Sequence, residues 1–196
     1  MKILVACETS GTVRRAFRNK GHEAYSCDLL PSDDNSPFHW IGDALEAAYN
    51  WHWDMMICHP PCTHLAVSGA AWFYKKQKEQ KEALEFVKNL LNAPIEKIAL
   101  ENPVSIISTH IRKPSQIIQP YMFGHLEQKK TCLWLKNLPL LIETNNVYKE
   151  MMMLPKRERE RLHYLAPSKT RWKERSKTFE GIATAMAEQW GRGNTK

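Results

Sequence analysis

Residues 53–62 read WDMMICHPPC. Four apolar residues end at a diproline, and a cysteine follows it directly. A short apolar run cut off by turn residues is the mark of a buried parallel strand. Proline cannot continue a sheet ladder, so the chain must turn at Pro60-Pro61 and present Cys62 beyond the strand's carboxyl end. The stretches on either side repeat the pattern. Residues 2–7, KILVAC, form an apolar run followed by the polar turn ETSG; TVRRAFRNKG then sets Val13, Ala16 and Phe17 on one helical face, with Gly21 as a stop. Residues 23–27 predict a second strand ending at Cys27-Asp28, and residues 29–40, with two prolines among clustered polar residues, predict a loop.

Downstream, Gly42-Asp43 precedes a short helix over 44–50. Residues 75–92 give the clearest helix, with Ala83, Leu84, Val87, Leu90 and Leu91 on one stripe and Pro94 as terminator. The run KIALEN (97–102) predicts a strand stopped by Pro103. Strands alternating with helices imply an α/β fold, a mostly parallel sheet with helices on both faces. SQIIQPYMFG and TCLWLKNLPLLI predict two further strands, with an antiparallel placement at the sheet edge left open, and 155–164 predicts a helix. A closing helix in EGIATAMAEQWG places Ile182, Ala185, Met186 and Trp190 on one face. The chain contains no internal repeat, and its 196 residues predict a single domain over 1–196.

Composition narrows the function classes. Five cysteines cannot form a fully paired disulfide framework, and no apolar stretch approaches the ~20 residues that span a bilayer. The expectation is a soluble, cytoplasmic protein without a membrane partner. Residues 149–177 hold ten Lys/Arg against four Glu, a net +6 of the chain's +7. Such a segment attracts a polyanion, most simply nucleic acid; the alternative is a solvated helix with internal Glu–Arg pairs in RERER.

In open α/β sheets ligands bind outside the carboxyl ends of the strands. The polar residues fall there: Cys7-Glu8-Thr9-Ser10-Gly11, then Asp28, Asp43, His59-Pro60-Pro61-Cys62 and Glu101-Asn102-Pro103. Cys62 on its rigid turn suits a nucleophile, against the alternative of a small packing residue. Glu101, driven out of an apolar strand, suits a proton donor or a hydrogen-bond partner to a ring nitrogen, against the alternative of a helix cap. Cys58, Cys62 and His64 lack a fourth zinc ligand, and PCTHL fails the deaminase pattern, so no metal is expected. Trp134 and Trp190 suit the core. Trp72, with Ser68-Gly69 as a hinge, and Trp172 are candidates for stacking on bases.

This ordered set resembles the cytosine-carbon-5 DNA methyltransferases, especially their short phage-type members, over about residues 2–191. The resemblance implies a Rossmann-like S-adenosylmethionine-dependent methyltransferase fold. Cys62 of HPPC would be the nucleophile and Glu101 of Glu101-Asn102-Pro103 the acid. The loop Cys7, Glu8, Thr9, Ser10 and Gly11 would hold the methionine end of S-adenosylmethionine. Asp28 would take the ribose hydroxyls, Asp43 the adenine amino group, and Pro60 would line the cofactor site. Asn102, Lys129, Lys130, Arg171, Trp172, Lys173 and Arg175 would meet nucleic acid, with DNA as the expected partner. The chain departs from the family in its first loop, which lacks an aromatic residue and one glycine. The family's Gln-x-Arg-x-Arg strand is reduced to Gln128-Lys129-Lys130. Only about 50 residues separate Gln128 from Gly181, where the family inserts a target-recognition domain, and 149–177 is the candidate substitute. Two alternatives follow: a catalytically silent relative that binds nucleic acid or cofactor, or the same chemistry on RNA or a free cytosine nucleotide. An amino-group methyltransferase, which uses a Pro-Pro-aromatic turn, fits less well because His59 stands first and Cys62 last.

Overall fold

A computed structural model describes residues 1–192 and leaves aside the side chain of Trp72. The last four residues of the expected 1–196 domain and the proposed stacking face of Trp72 lie outside the described residues. Seven strands form one sheet: β1 (Lys2–Ala6), β2 (Glu23–Asp28), β3 (His39–Ile41), β4 (Met55–Cys58), β5 (Lys97–Pro103), β6 (Gln116–Ile118) and β7 (Thr131–Lys136). Their order is β3-β2-β1-β4-β5-β7-β6. The first five are parallel and β7 runs against both its neighbours, so β7 alone is reversed. This is the doubly wound order with one antiparallel strand inserted, an α/β architecture compatible with a Rossmann-like fold.

The central strands are apolar throughout because both faces are covered. Leu4, Ala6, Met56, Cys58, Ile98 and Leu100 enter one core with α2 (Ala44–Asn50) and α3 (Gln77–Leu91). Ile3, Val5, Met55, Ile57 and Ala99 enter the other with α1 (Thr12–Asn19) and α8 (Glu180–Trp190). The side-chain period of two distributes each strand between them. Short helices α4 (Ile107–His110), α5 (Tyr148–Met152), α6 (Lys156–Arg159) and α7 (Arg171–Ser176) occupy the connections. No described helix is long and apolar enough to cross a membrane.

Several expectations change. A strand, β3, lies inside the stretch read as loop; it has three residues, and its pairing with β2 supplies what its sequence does not. β5 ends at Pro103, which is itself the last paired residue, opposite Thr131, so the strand runs one residue further than expected. SQIIQPYMFG contributes only Gln116–Ile118 to the sheet, because Pro120 opens a 3₁₀ turn (Pro120–Met122). TCLWLKNLPLLI contributes only Thr131–Lys136. Within 155–164, helix is confined to Lys156–Arg159. The segment after Cys62, where Ser68-Gly69 is expected to form a hinge, is a 3₁₀ helix over Val67–Lys75.

Candidate active site

The chain reaches β2 from β1 in one direction and β5 from β4 in the other, so the loops after β1 and β4 part and leave a crevice at the carboxyl edge. Each predicted loop contributes to this rim.

The turn after β4 is the most constrained. His59 donates its backbone N–H to the Ala6 carbonyl at 3.0 Å, and Pro60 is buried behind it. Asn102, 2% exposed on β5, donates its side-chain amide to the Pro60 carbonyl at 2.9 Å. Cys62 then closes a tight turn, its carbonyl accepting from Leu65 and Ala66 at 3.0 and 2.9 Å. Of the five cysteines, Cys27, Cys58 and Cys132 are buried and Cys7 half-buried, while Cys62 is exposed. Burial pushes the Cys7 and Cys58 thiols far above their ordinary value and Cys27 up to about 12, with Asp28 adding to the rise at Cys7 and Cys27. Cys62 is thus the accessible thiol on the rim. Asn102, expected from the resemblance to meet nucleic acid, has an enclosed side chain that braces the Cys62 turn.

Glu101 and His59 face each other because Cys58 and Leu100 are paired across β4 and β5. His59 Nδ1 lies 3.3 Å from Glu101 Oε2, with the two side chains 12% and 11% exposed. Thr178 Oγ1 donates to the same oxygen at 3.4 Å. Burial would lower the His59 pKa, but the Glu101 carboxylate against it raises it above the ordinary imidazole value. Burial would likewise raise Glu101, and the charge of His59 holds it below the usual carboxylate range. Lys129 acts electrostatically on both groups. The sequence presents His59 only as part of HPPC; its place opposite Glu101 comes from the β4–β5 register, which the sequence does not display.

The first loop divides into two parts. Glu8 is buried, its carboxylate accepting from Val13 at 2.7 Å and Arg14 at 3.3 Å. Its carboxylate caps α1, meeting the unpaired amides at a helix start. Gly11, at φ 66°, could not carry a Cβ without meeting the Arg14 guanidinium. The backbone N–H groups of Thr9, Ser10 and Gly11 have no acceptor among the described residues. Asp28 accepts from Leu30 at 3.0 Å, and Asp43 Oδ1 caps α2 by accepting from Leu45 and Glu46 at 2.6 and 3.2 Å. Both carboxylates act on the Cys7 and Cys27 thiols, so the ends of β1, β2 and β3 converge.

The basic segment lies along the same rim, docked at several points. Gln128 donates its backbone N–H to the Arg159 carbonyl at 2.6 Å, and Leu162 donates to the buried Glu127 carboxylate at 3.0 Å. Arg161 pairs with Glu127 and Glu174 at 3.6 and 3.9 Å. Lys129 Nζ donates to the Arg175 carbonyl at 2.8 Å, and Lys173 reaches Asp33, in the loop after β2, at 2.9 Å. The internal RERER pairs considered from the sequence do not form among the described residues: Arg157 and Arg159 have no ion pair there, and Arg161 turns to Glu127 and Glu174. Lys130, Trp172 and Arg175 are exposed, and Arg171 is half-buried, donating to the His163 carbonyl at 3.2 Å. Among the described residues no His/Cys/Asp/Glu cluster could hold a metal ion. No known protein-family model matches the chain, and no curated protein matches it.

Proposed function

We propose that this chain is an S-adenosylmethionine-dependent methyltransferase that acts on carbon 5 of cytosine in DNA. The observation that carries this reading is the pairing of an accessible thiol with a buried carboxyl at neighbouring strand ends. Asn102, the residue after Glu101, ties the Cys62 turn to β5 by its bond to Pro60.

The first loop and the strand ends supply donors and acceptors that suit the cofactor. Free amides at Thr9, Ser10 and Gly11 match a carboxylate. Asp28 and Asp43 match ribose hydroxyls and an exocyclic amino group. When bound, S-adenosylmethionine supplies an electrophilic methyl group. The protein's own work is to make carbon 5 nucleophilic. The Cys62 thiolate bonds to carbon 6 while Glu101 gives a proton to ring nitrogen 3, and the electron pair of the carbon 5–carbon 6 bond becomes available at carbon 5. After methylation, loss of the carbon-5 proton to solvent restores the double bond and expels the thiolate. A base within a duplex must leave the stack first, at a cost of a few kcal/mol.

Labelled S-adenosylmethionine offered to duplex DNA, single-stranded DNA, RNA and deoxycytidine nucleotides tests the reading. Transfer to DNA is expected, and Cys62→Ala should abolish it while leaving cofactor affinity nearly unchanged. Turnover by that variant sinks the nucleophile assignment. Cofactor binding without transfer to any acceptor would favour a catalytically silent protein.

A further inference from the structure

We propose that His59 is a positioning residue of this site, holding beside Glu101 the proton that Glu101 delivers to the ring nitrogen. The inference rests on the methyltransferase reading and adds to it a residue that reading does not require.

A proton donor must carry a proton at the pH of reaction. Glu101 at rest does not: it is ionised beside His59, and its pKa is held below the usual carboxylate range. The proton of the pair sits on the imidazole. The geometry gives that proton one destination, since His59 Nδ1 faces Glu101 Oε2 and His59 Nε2 is buried with no partner among the described residues. Oε2 also accepts from Thr178, and Oε1 has no partner among the described residues.

The groups facing the pair come from three further elements, two of them charged. Glu8, in the loop after β1, supports the protonated imidazole. Lys129, in the stretch before β7, opposes it and favours the ionised carboxylate. Thr178, at the approach to α8, is neutral. The two strand ends are rigid, being paired in the sheet up to Cys58 and through Glu101 itself.

The step balances. Initially the pair holds one proton and no net charge, as imidazolium and carboxylate. As Cys62 sulfur bonds to carbon 6, the proton passes from His59 to Glu101 and on to ring nitrogen 3, which accepts the displaced π pair. The pair is left as neutral imidazole and carboxylate. When the methylated ring gives up its nitrogen proton, the pair is restored. His59 thereby extends to imidazole pH values a donor that a carboxyl alone could supply only in acid.

The test is the pH profile of single-turnover methyl transfer in the wild type, His59→Asn and Glu101→Gln, with nuclear magnetic resonance titration of the His59 ring. The wild-type rate should fall at alkaline pH with the His59 titration. In His59→Asn the donor must be Glu101 itself, so this limb should move to lower pH by about one unit or more, a tenfold loss in rate near neutrality. Glu101→Gln should lower the His59 titration point. A uniform loss of rate in His59→Asn with the limb unmoved would overturn the proposal and leave the methyltransferase reading intact. So would a His59 titration indifferent to Glu101→Gln. The titration is also available should His59→Asn fail to fold. Absence of any transfer by the wild type would sink the underlying reading and this role together.

Discussion

Asn102 shows how a residue can govern a reactive side chain without touching a ligand. Its amide nitrogen holds the Pro60 carbonyl, two residues before Cys62, while its Oδ1 is buried without a partner among the described residues. Asn102→Ala should leave the Pro60 carbonyl enclosed and unpaired, at about 1–3 kcal/mol, read as a lower urea midpoint. Asn102→Asp should cost more, because it places an acceptor-only carboxylate against a carbonyl. Unchanged midpoints in both would remove the brace. The thiols offer a second measurement. Cys62 should take up an alkylating reagent first, ahead of the half-buried Cys7 and the three buried cysteines, and mass mapping of another cysteine as the first adduct would contradict the described turn. At this scale the sequence was most informative where backbone rigidity dictated position: the diproline announced Cys62 and the apolar run before Glu101 announced the carboxyl. It did not show that Asn102 braces Pro60, because that bond joins residues 42 positions apart that only the folded chain brings together.

Among the elements, α1 is fastened to the loop after β2 by charge. Arg14, 1% exposed, pairs with Asp34 and donates to Ser26 Oγ at 2.8 Å, and Arg15 reaches the same carboxylate at 2.8 Å. Ser26 in turn meets His39 Nδ1 at 2.8 Å, tying in the edge strand. Burial alone would raise Asp34, but Arg14 and Arg15 bring it from 3.8 down to about 2. A carboxyl whose folded pKa is depressed stabilises the fold above its unfolded value and loses that contribution as the pH falls through its folded one. Asp34→Asn should therefore lower the urea midpoint at neutral pH, with the gap narrowing between about pH 4 and pH 2. An equal gap at both ends of that window would refute the coupling. The network also explains why β3 was illegible. Its three residues carry no alternation of their own, and the strand is fixed by pairing with β2 and by His39. Long periodic elements such as α3 and α8 were legible because their apolar stripes suffice to bury them: Val87, Leu90, Ile182, Ala185, Met186 and Trp190 are all enclosed.

For the molecule as a whole, the concentration of charge in 149–177 lies along the candidate site's rim. The segment is anchored at Glu127, Gln128, Lys129 and Asp33, yet Lys156, Arg157, Lys169 and Lys177 are exposed and have no ion pair among the described residues. Nucleic-acid affinity should fall steeply with salt. Neutralising Arg171, Lys173 and Arg175 together should weaken binding and reduce the slope of log K against log salt by about 2–3 if each meets a phosphate of a duplex. An unchanged slope would make this stretch a solvated surface. Because Lys173 also holds Asp33, Asp33→Asn serves as the control: it breaks the same surface contact without removing a cation.

The sheet's outermost positions have a consequence for how copies of this chain meet one another. Both borders are three-residue strands, His39–Ile41 on one side and Gln116–Ile118 on the other. A long open border would display a row of unpaired backbone groups and invite another chain to extend the ladder. Here each border offers a template of only three residues, the first fastened by His39 and the second followed immediately by Pro120, which has no N–H to give. The most hydrophobic strands of the protein, those carrying the strand ends of the candidate site, are thereby kept in the interior of a sheet with little capacity to recruit more.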